Sequence, residues 1–263
     1  MVNGGGLAGL LHFPSLLRHP KVDFTAITHC AGSRLETIAE QVGLTQYTDF
    51  TQMVAAESPD AVYVTIPPLE RFDTVSSLLQ MGCHTFVMNP PSLTTEQIRH
   101  LANAAQERGL LTGVVFYRRF SDVVRKGNRF CSQKGKVHTA VASFYKHALG
   151  AGPYSRGGID ILTSDAIHAV DTLRYLCGGK VVAVSSNLRK IGAQHHNAYE
   201  AFIKFSTGAT GVLLANWMSA RRMFKVEIHG MGVSCFGDLE EGGRIYRDNK
   251  TEPTETFPSL ENI

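Results

Sequence analysis

Near the start of the chain, Gly4-Gly5-Gly6-Leu7-Ala8-Gly9 reads G-x-G-x-x-G, and an apolar run follows at once. That spacing suits a pyrophosphate. The first glycine turns tightly out of a strand, the second lets backbone N–H groups approach the anion, and the third lets the new helix pack close with its positive end aimed at the charge. The pattern predicts a dinucleotide held by Gly4, Gly6, Leu7, Ala8 and Gly9. Only Met1-Val2-Asn3 stands in front of it. Two readings stay open: the first strand is a stub, or the true start lies upstream.

A second group of residues has the types needed for proton chemistry. His168 has Asp165 three residues before it and Asp171 three residues after it, so on a helix either carboxylate can meet the imidazole. Hydride transfer from an alcohol requires a proton acceptor, and histidine ordinarily titrates in the right range. A histidine packed between helix and sheet is the plainer alternative. Arg118 and Arg119 suit an anionic group of a substrate or cofactor, or an ion pair at a domain junction. Lys146 follows a strand-like run and is placed to reach a cleft, a surface lysine being the plainer reading. His195-His196 would point to opposite faces of a strand, so no metal site is expected.

The elements that must position these groups alternate in the first half. Phe24–Ile27, Asp60–Ile66, His84–Met88 and Leu110–Phe116 read as strands. Helices are predicted from Ser33 to Gly43, from after Pro67-Pro68 to Met81, and from a start capped by Thr94 with Gln97 at its third position. Such alternation implies βαβ units and a doubly wound parallel sheet, with ligands at the carboxyl ends of its strands. The second half changes character. A strand-like run, Val137–Tyr145, precedes one helix predicted over Ile159–Leu176. Runs at Val181–Leu188, Tyr199–Phe205, Gly211–Trp217 and Phe224–His229 then suggest an open, mostly antiparallel sheet, with Ser206-Thr207-Gly208-Ala209 as a hairpin turn. The boundary is placed near Tyr117, giving a dinucleotide-binding domain over 1–117 and a substrate-binding and oligomerisation domain over 118–263.

Composition narrows the function. Of 263 residues, 43% are hydrophobic and 19% charged, with a formal net charge of +3, ordinary for a globular protein. Basic residues are scattered, so no nucleic-acid groove is expected. No apolar run is long enough for a transmembrane helix, and no secretory signal is visible. The five cysteines are odd in number and lack a C-x-x-C pair, which reads as a reduced, cytoplasmic setting.

Several motifs in order then carry a resemblance. After the glycine pattern come Asp60-Ala61-Val62-Tyr63-Val64-Thr65-Ile66-Pro67-Pro68, Gly82-Cys83-His84-Thr85-Phe86-Val87-Met88-Asn89-Pro90, Arg118-Arg119-Phe120, Gly157-Gly158 and His168-Ala169-Val170-Asp171. Over nearly its whole length the chain resembles the glucose–fructose oxidoreductase, inositol dehydrogenase and rhizopine-catabolism (Gfo/Idh/MocA) family. The resemblance implies a Rossmann domain and a C-terminal α/β domain whose open sheet joins copies into a homo-oligomer. It also implies NAD or NADP and a small sugar- or cyclitol-like substrate. His168 would then transfer the proton, supported by Asp165 or Ser164, while Ile66, Pro67 and Pro68 shape the wall near the nicotinamide. The family lysine near nicotinamide and substrate is replaced by Asn89, which can orient a ligand but not titrate. The family histidine after the preceding strand appears as Arg71, and the acid before the family's second-domain histidine appears as Ser164, with Asp165 displaced by one place. His29 stands at the usual acidic ribose position, with Ser33 and Arg34 close behind, which favours NADP over NAD. Family members commonly continue past the point matching Ile263, so a closing segment is expected. The implied activity is an NAD(P)-dependent oxidoreductase acting on a secondary alcohol or carbonyl. The rival reading is a nucleotide-binding sensor or scaffold that has lost the lysine. A third is a net reaction such as elimination through a transient ketone.

Overall fold

A computed structural model describes residues 1–3, 7–28, 34–150, 152–153 and 159–258; the side chains of residue 3, of residues 7–11 and of residues 34–35 are also left undescribed. The chain separates into two compact units, Met1–Val115 and Phe116–Ile263.

The first unit is a six-stranded parallel sheet in the order β3-β2-β1-β4-β5-β6. Its strands are β1 (Val2–Asn3), β2 (Ala26–Thr28), β3 (Thr45–Tyr47), β4 (Ala61–Thr65), β5 (His84–Met88) and β6 (Thr112–Val115). Helices α1 (Leu7–Leu17), α2 (Arg34–Gln41), α3 (Phe50–Glu57), α4 (Pro68–Gln80) and α5 (Thr95–Glu107) connect them. The strand order reverses direction at β1 and β4, which makes a crevice at their carboxyl ends, the usual place for a ligand in such sheets. The central β1 is two residues long, yet it pairs with both β2 and β4.

Local chemistry explains the element boundaries. Thr94 accepts from the Gln97 backbone N–H at 3.1 Å while the Gln97 side chain accepts from Thr94 N–H at 3.3 Å, the capping box expected for α5. Pro68 occupies the first position of α4, where its missing N–H costs nothing. The β3–α3 pair was not expected from the sequence. Its strand has only three residues, too few for a period-2 pattern, but Asp49 caps α3 through the backbone N–H groups of Thr51 and Gln52.

The second unit is an eight-stranded sheet, β14-β13-β12-β11-β7-β10-β9-β8. Its strands are β7 (Thr139–His147), β8 (Val181–Arg189), β9 (Ala198–Phe205), β10 (Thr210–Asn216), β11 (Met218–Gly230), β12 (Val233–Asp238), β13 (Gly242–Arg247) and β14 (Glu255–Phe257). All neighbours are antiparallel except β7 and β10. One face is covered by α6 (Asp122–Cys131), which packs on β11, β12 and β13, and by α7 (Ile167–Cys177), which packs on β7 and β10. The core between them includes Phe144, Leu173, Phe224 and Ile228, all nearly or fully buried. The other face has no helix on it among the described residues.

Two expectations change. The single helix over Ile159–Leu176 is instead a π-helical turn, Leu162–Ala166, followed by α7. The run Phe224–His229 belongs to a thirteen-residue strand with an irregularity between Met218 and Met223. Charged residues Arg221 and Arg222 interrupt its apolar pattern, because that stretch carries ion pairs to Glu241 and Glu240 rather than core contacts.

Candidate active site

In the first unit, the carboxyl ends of β4 and β5 are tied together by one side chain. Arg71, buried in the first turns of α4, donates through Nε to the Ile66 carbonyl at 2.8 Å. Its Nη1 donates to the carbonyls of Met88 at 3.1 Å and Pro90 at 2.6 Å. A guanidinium fork can satisfy three carbonyls at once where a histidine cannot. Burial pulls its pKa from the usual 12.5 to about 10, still fully charged at neutral pH. Ile66, Pro67 and Pro68 follow β4 as expected. Asn89 follows β5 and is buried, and its Oδ1 has no hydrogen-bond partner among the described residues. An unpaired buried amide oxygen is costly, so it suits a donor brought by a ligand.

Gly4, Gly6, His29 and Ser33 lie outside the described residues, as do Gly157 and Gly158. Leu7, Ala8 and Gly9 open α1 and Arg34 opens α2.

In the second unit, His168 sits at the start of α7, 8% exposed. Its ring meets Phe116 edge-on at 6.1 Å and Tyr117 at 5.1 Å. Its Nδ1 has no partner among the described residues. Burial first, then the charges of Arg118 and Arg222, push its pKa from 6.5 down to about 3. The imidazole is therefore neutral at physiological pH, below the range expected of a free histidine.

Neither flanking carboxylate serves it. Asp165 pairs with Lys146 Nζ at 3.1 Å. Asp171 is taken by the guanidinium of Arg119 in a two-point pair. The π turn explains the first departure. It is wider than an α turn, so a three-residue step out of it no longer places Asp165 and His168 on one face. Arg119 is thus a structural partner of α7. Lys146 lies with its ammonium 5.3 Å from the Trp217 ring and its side chain one-third exposed. The indole Nε1 of Trp217 and the Oγ of Ser164 are buried without partners among the described residues.

Arg118 differs from its neighbour. It is 5% exposed, stacked 4.6 Å from the Phe224 ring, and its guanidinium hydrogen-bonds the Tyr117 side chain. Arg222 lies nearby, paired with Glu240 at 3.7 Å. Tyr117, Trp217, Arg222 and Glu240 were not read from the sequence. Tyr117 and Trp217 look like ordinary aromatic residues next to strands, and only the fold brings them to the head of α7.

Comparison with known proteins agrees with this architecture. Residues 1–116 match the model of an oxidoreductase family with an NAD-binding Rossmann fold, and residues 133–234 match the C-terminal domain of the same Gfo/Idh/MocA family. The chain belongs to the Gfo/Idh/MocA family. Among curated relatives it is 26% identical over 226 residues to a scyllo-inositol 2-dehydrogenase (NAD(+)) of Bacillus subtilis, covering 80% of this chain and 64% of that one. It is 26% identical over 212 residues to a D-glucoside 3-dehydrogenase of Escherichia coli, covering 74% and 58%. The match thus spans about three-fifths of the length of those relatives. A levoglucosan dehydrogenase in complex with NADH and levoglucosan shares the fold, with a TM-score of 0.82 at 17% identity over 98% of this chain and 79% of that one. GenD2 from gentamicin A biosynthesis, in complex with NAD, does so with a TM-score of 0.78 at 23% identity over 91% and 72%. The family is one of NAD-binding oxidoreductases. On this chain the unpaired Asn89 Oδ1 fits such a dinucleotide, since nicotinamide carries an amide N–H that it can accept.

Proposed function

We propose that this protein is an NAD(P)-dependent oxidoreductase acting on a secondary alcohol or carbonyl of a small sugar- or cyclitol-like molecule. The observation that carries this reading is the head of α7. There a neutral, buried His168 imidazole meets the Phe116 and Tyr117 rings edge-on, and the turn just before it carries the Asp165 that pairs with Lys146. Such a constellation of donors, acceptors and aromatic faces suits a polyhydroxylated ring. Nicotinamide, when bound, supplies or removes a hydride. Asn89 orients a ligand by hydrogen bonding and holds no proton. His168 positions the reacting hydroxyl, accepting its hydrogen bond on one ring nitrogen. Lys146 and Asp165 address neighbouring hydroxyls. Arg118 is the arginine of the pair that faces the site, whereas Arg119 is committed to Asp171.

Residues 1–117 would bind the dinucleotide and residues 118–263 the substrate. With His29, Ser33 and Arg34 in place of an acid after β2, NADP should bind at least as well as NAD. The open sheet face would join two or more copies. The cytoplasm is the compartment that fits the four described cysteines, all free thiols; no helix among the described residues is long and apolar enough to cross a membrane. The test is absorbance of the nicotinamide band of purified protein against a panel of sugars and cyclitols with both cofactors. Reduction with at least one polyol is expected, and its absence across the panel would replace this reading with nucleotide binding alone.

A further inference from the structure

In the second unit, the charges around the head of α7 do not cancel. Asp165 pairs with Lys146, Asp171 with Arg119 and Glu240 with Arg222. Arg118 is left over. It is 5% exposed, and among the described residues no carboxylate is in ion-pair contact with it. Its guanidinium lies 4.6 Å from the centre of the Phe224 ring, 5.7 Å from that of Phe144 and 5.5 Å from that of Tyr117. Its Nε–H is buried without an acceptor. Aromatic faces ease a buried positive charge but do not neutralise it, and a buried cation without a counter-ion is strongly unfavourable. Burial, ahead of every neighbouring charge, lowers its pKa from the usual 12.5. One of the three pairs is also loose. Arg222 and Glu240 stand 3.7 Å apart, beyond hydrogen-bond distance, and the Arg222 side chain is 53% exposed. Its charge acts on both Arg118 and His168. Two further groups of this unit are buried and unpaired among the described residues: the Trp217 indole N–H, which can only donate, and the Ser164 hydroxyl. What is missing here is acceptor oxygen and one negative charge.

We infer that the ligand of this site carries a carboxylate, and that Arg118 is the residue that selects it, with Arg222 as a second arm. The inference rests on the oxidoreductase reading above and narrows its substrate class to sugar acids and carboxylated cyclitols. Four cations against three carboxylates leave one positive charge. A carboxylate brings one negative charge and a planar pair of oxygens that matches the edge of a guanidinium. A phosphate monoester brings about −1.5 to −2, which would leave the site negative. The Lys146–Asp165 pair is neutral as a unit, so it suits the hydroxyls of the same molecule and adds nothing to the selection of an anion.

Trp217 is the single tryptophan of the chain, and its ring lies 5.3 Å from the Lys146 ammonium, so its fluorescence reports binding at this site without turnover. The experiment titrates D-glucuronate, D-galacturonate and D-gluconate, each beside its neutral amide, with and without NAD and NADP. At least one acid should bind about tenfold or more tighter than its amide, the usual worth of a hydrogen bond to a charged group. Arg118→Met keeps most of the apolar stem and removes the buried charge. It should hold or raise the melting temperature, where a purely structural arginine would lower it, and it should bind acid and amide alike. Arg118→Lys should restore part of the preference. Arg222→Met, at an exposed side chain, should weaken the acid severalfold and leave the amide unchanged, which reads the site independently of how Arg118→Met folds. An unmodified protein that binds no acid more tightly than its amide would overturn the inference, as would Arg118→Met with its preference intact. Oxidation of neutral polyols without any preference for acids would overturn this inference and leave the oxidoreductase reading standing. A preferred acid that yields no nicotinamide absorbance with either cofactor would do the reverse.

Discussion

At the scale of residues, the head of α7 shows how environment decides what a histidine can do. The same imidazole that would titrate near 6.5 in water is held to about 3 by burial and two guanidinium charges. A neutral imidazole orients a hydroxyl well and stores a proton poorly. His168→Ala should therefore lower turnover through lost orientation of the hydroxyl while leaving NAD(P) affinity unchanged in a titration. Full activity in that variant would remove His168 from the mechanism. The depressed pKa also has a consequence for stability. Between the unfolded value near 6.5 and the folded value near 3, the unfolded chain binds a proton that the folded one does not. Stability is thus fully present above pH 6.5 and falls as the pH drops toward 3, by about 1 kcal/mol per unit for this group. Urea denaturation at pH 7, 5.5 and 4 should show a shallower decline for His168→Gln than for the unmodified protein.

At the scale of elements, two contacts fix how strands end. Arg71 gathers the carbonyls of Ile66, Met88 and Pro90, which belong to the exits of β4 and β5. Arg71→Met leaves all three without their donor. The expected cost is about 3 kcal/mol or more in denaturant unfolding, since each of the three stranded acceptors is worth about 1–3 kcal/mol. Weakened binding of reduced nicotinamide cofactor should accompany it. Arg71→Lys should recover only part, because an ammonium lacks the fork. In the second unit, Gly230 closes β11 against the end of α6. A Cβ there would lie 1.8 Å from the Cys131 carbonyl oxygen, backbone that cannot step aside. Gly230→Ala should destabilise by about 3 kcal/mol, read as a lowered denaturation midpoint.

At the scale of the whole molecule, the eight-stranded sheet leaves one face without a helix among the described residues. That face carries Phe202 on β9 and Phe236 on β12, 48% and 42% exposed, and the half-buried Val212 and Leu214 on β10. A broad surface of this kind suits a second copy of the chain. Light scattering at micromolar concentration should give a mass of two or more protomers, and Phe202→Arg combined with Phe236→Arg should shift it toward the monomer. A monomer for the unmodified protein would set that interface aside.

The sequence by itself determined the fold class and most strand and helix positions. Periodicity, glycine spacing and turn residues are local signals, and β5, the Thr94 cap and the Ser206–Ala209 hairpin depend on nothing distant. It also determined the family, because the ordered motifs of both halves lie along one chain. The elements β3, α3, α6 and β12–β14 escaped notice, since short or mixed segments take their identity from neighbours they pack on. Tertiary structure alone decided the wiring of the site. Which carboxylate meets which cation depends on the π turn before α7 and on where β7 presents Lys146, neither of which a three-residue spacing encodes. The protonation of His168 was likewise beyond sequence, because it is set by burial and by Arg118 and Arg222, charges brought close only when the turn at Tyr117–Phe120, α7 and the sheet come together.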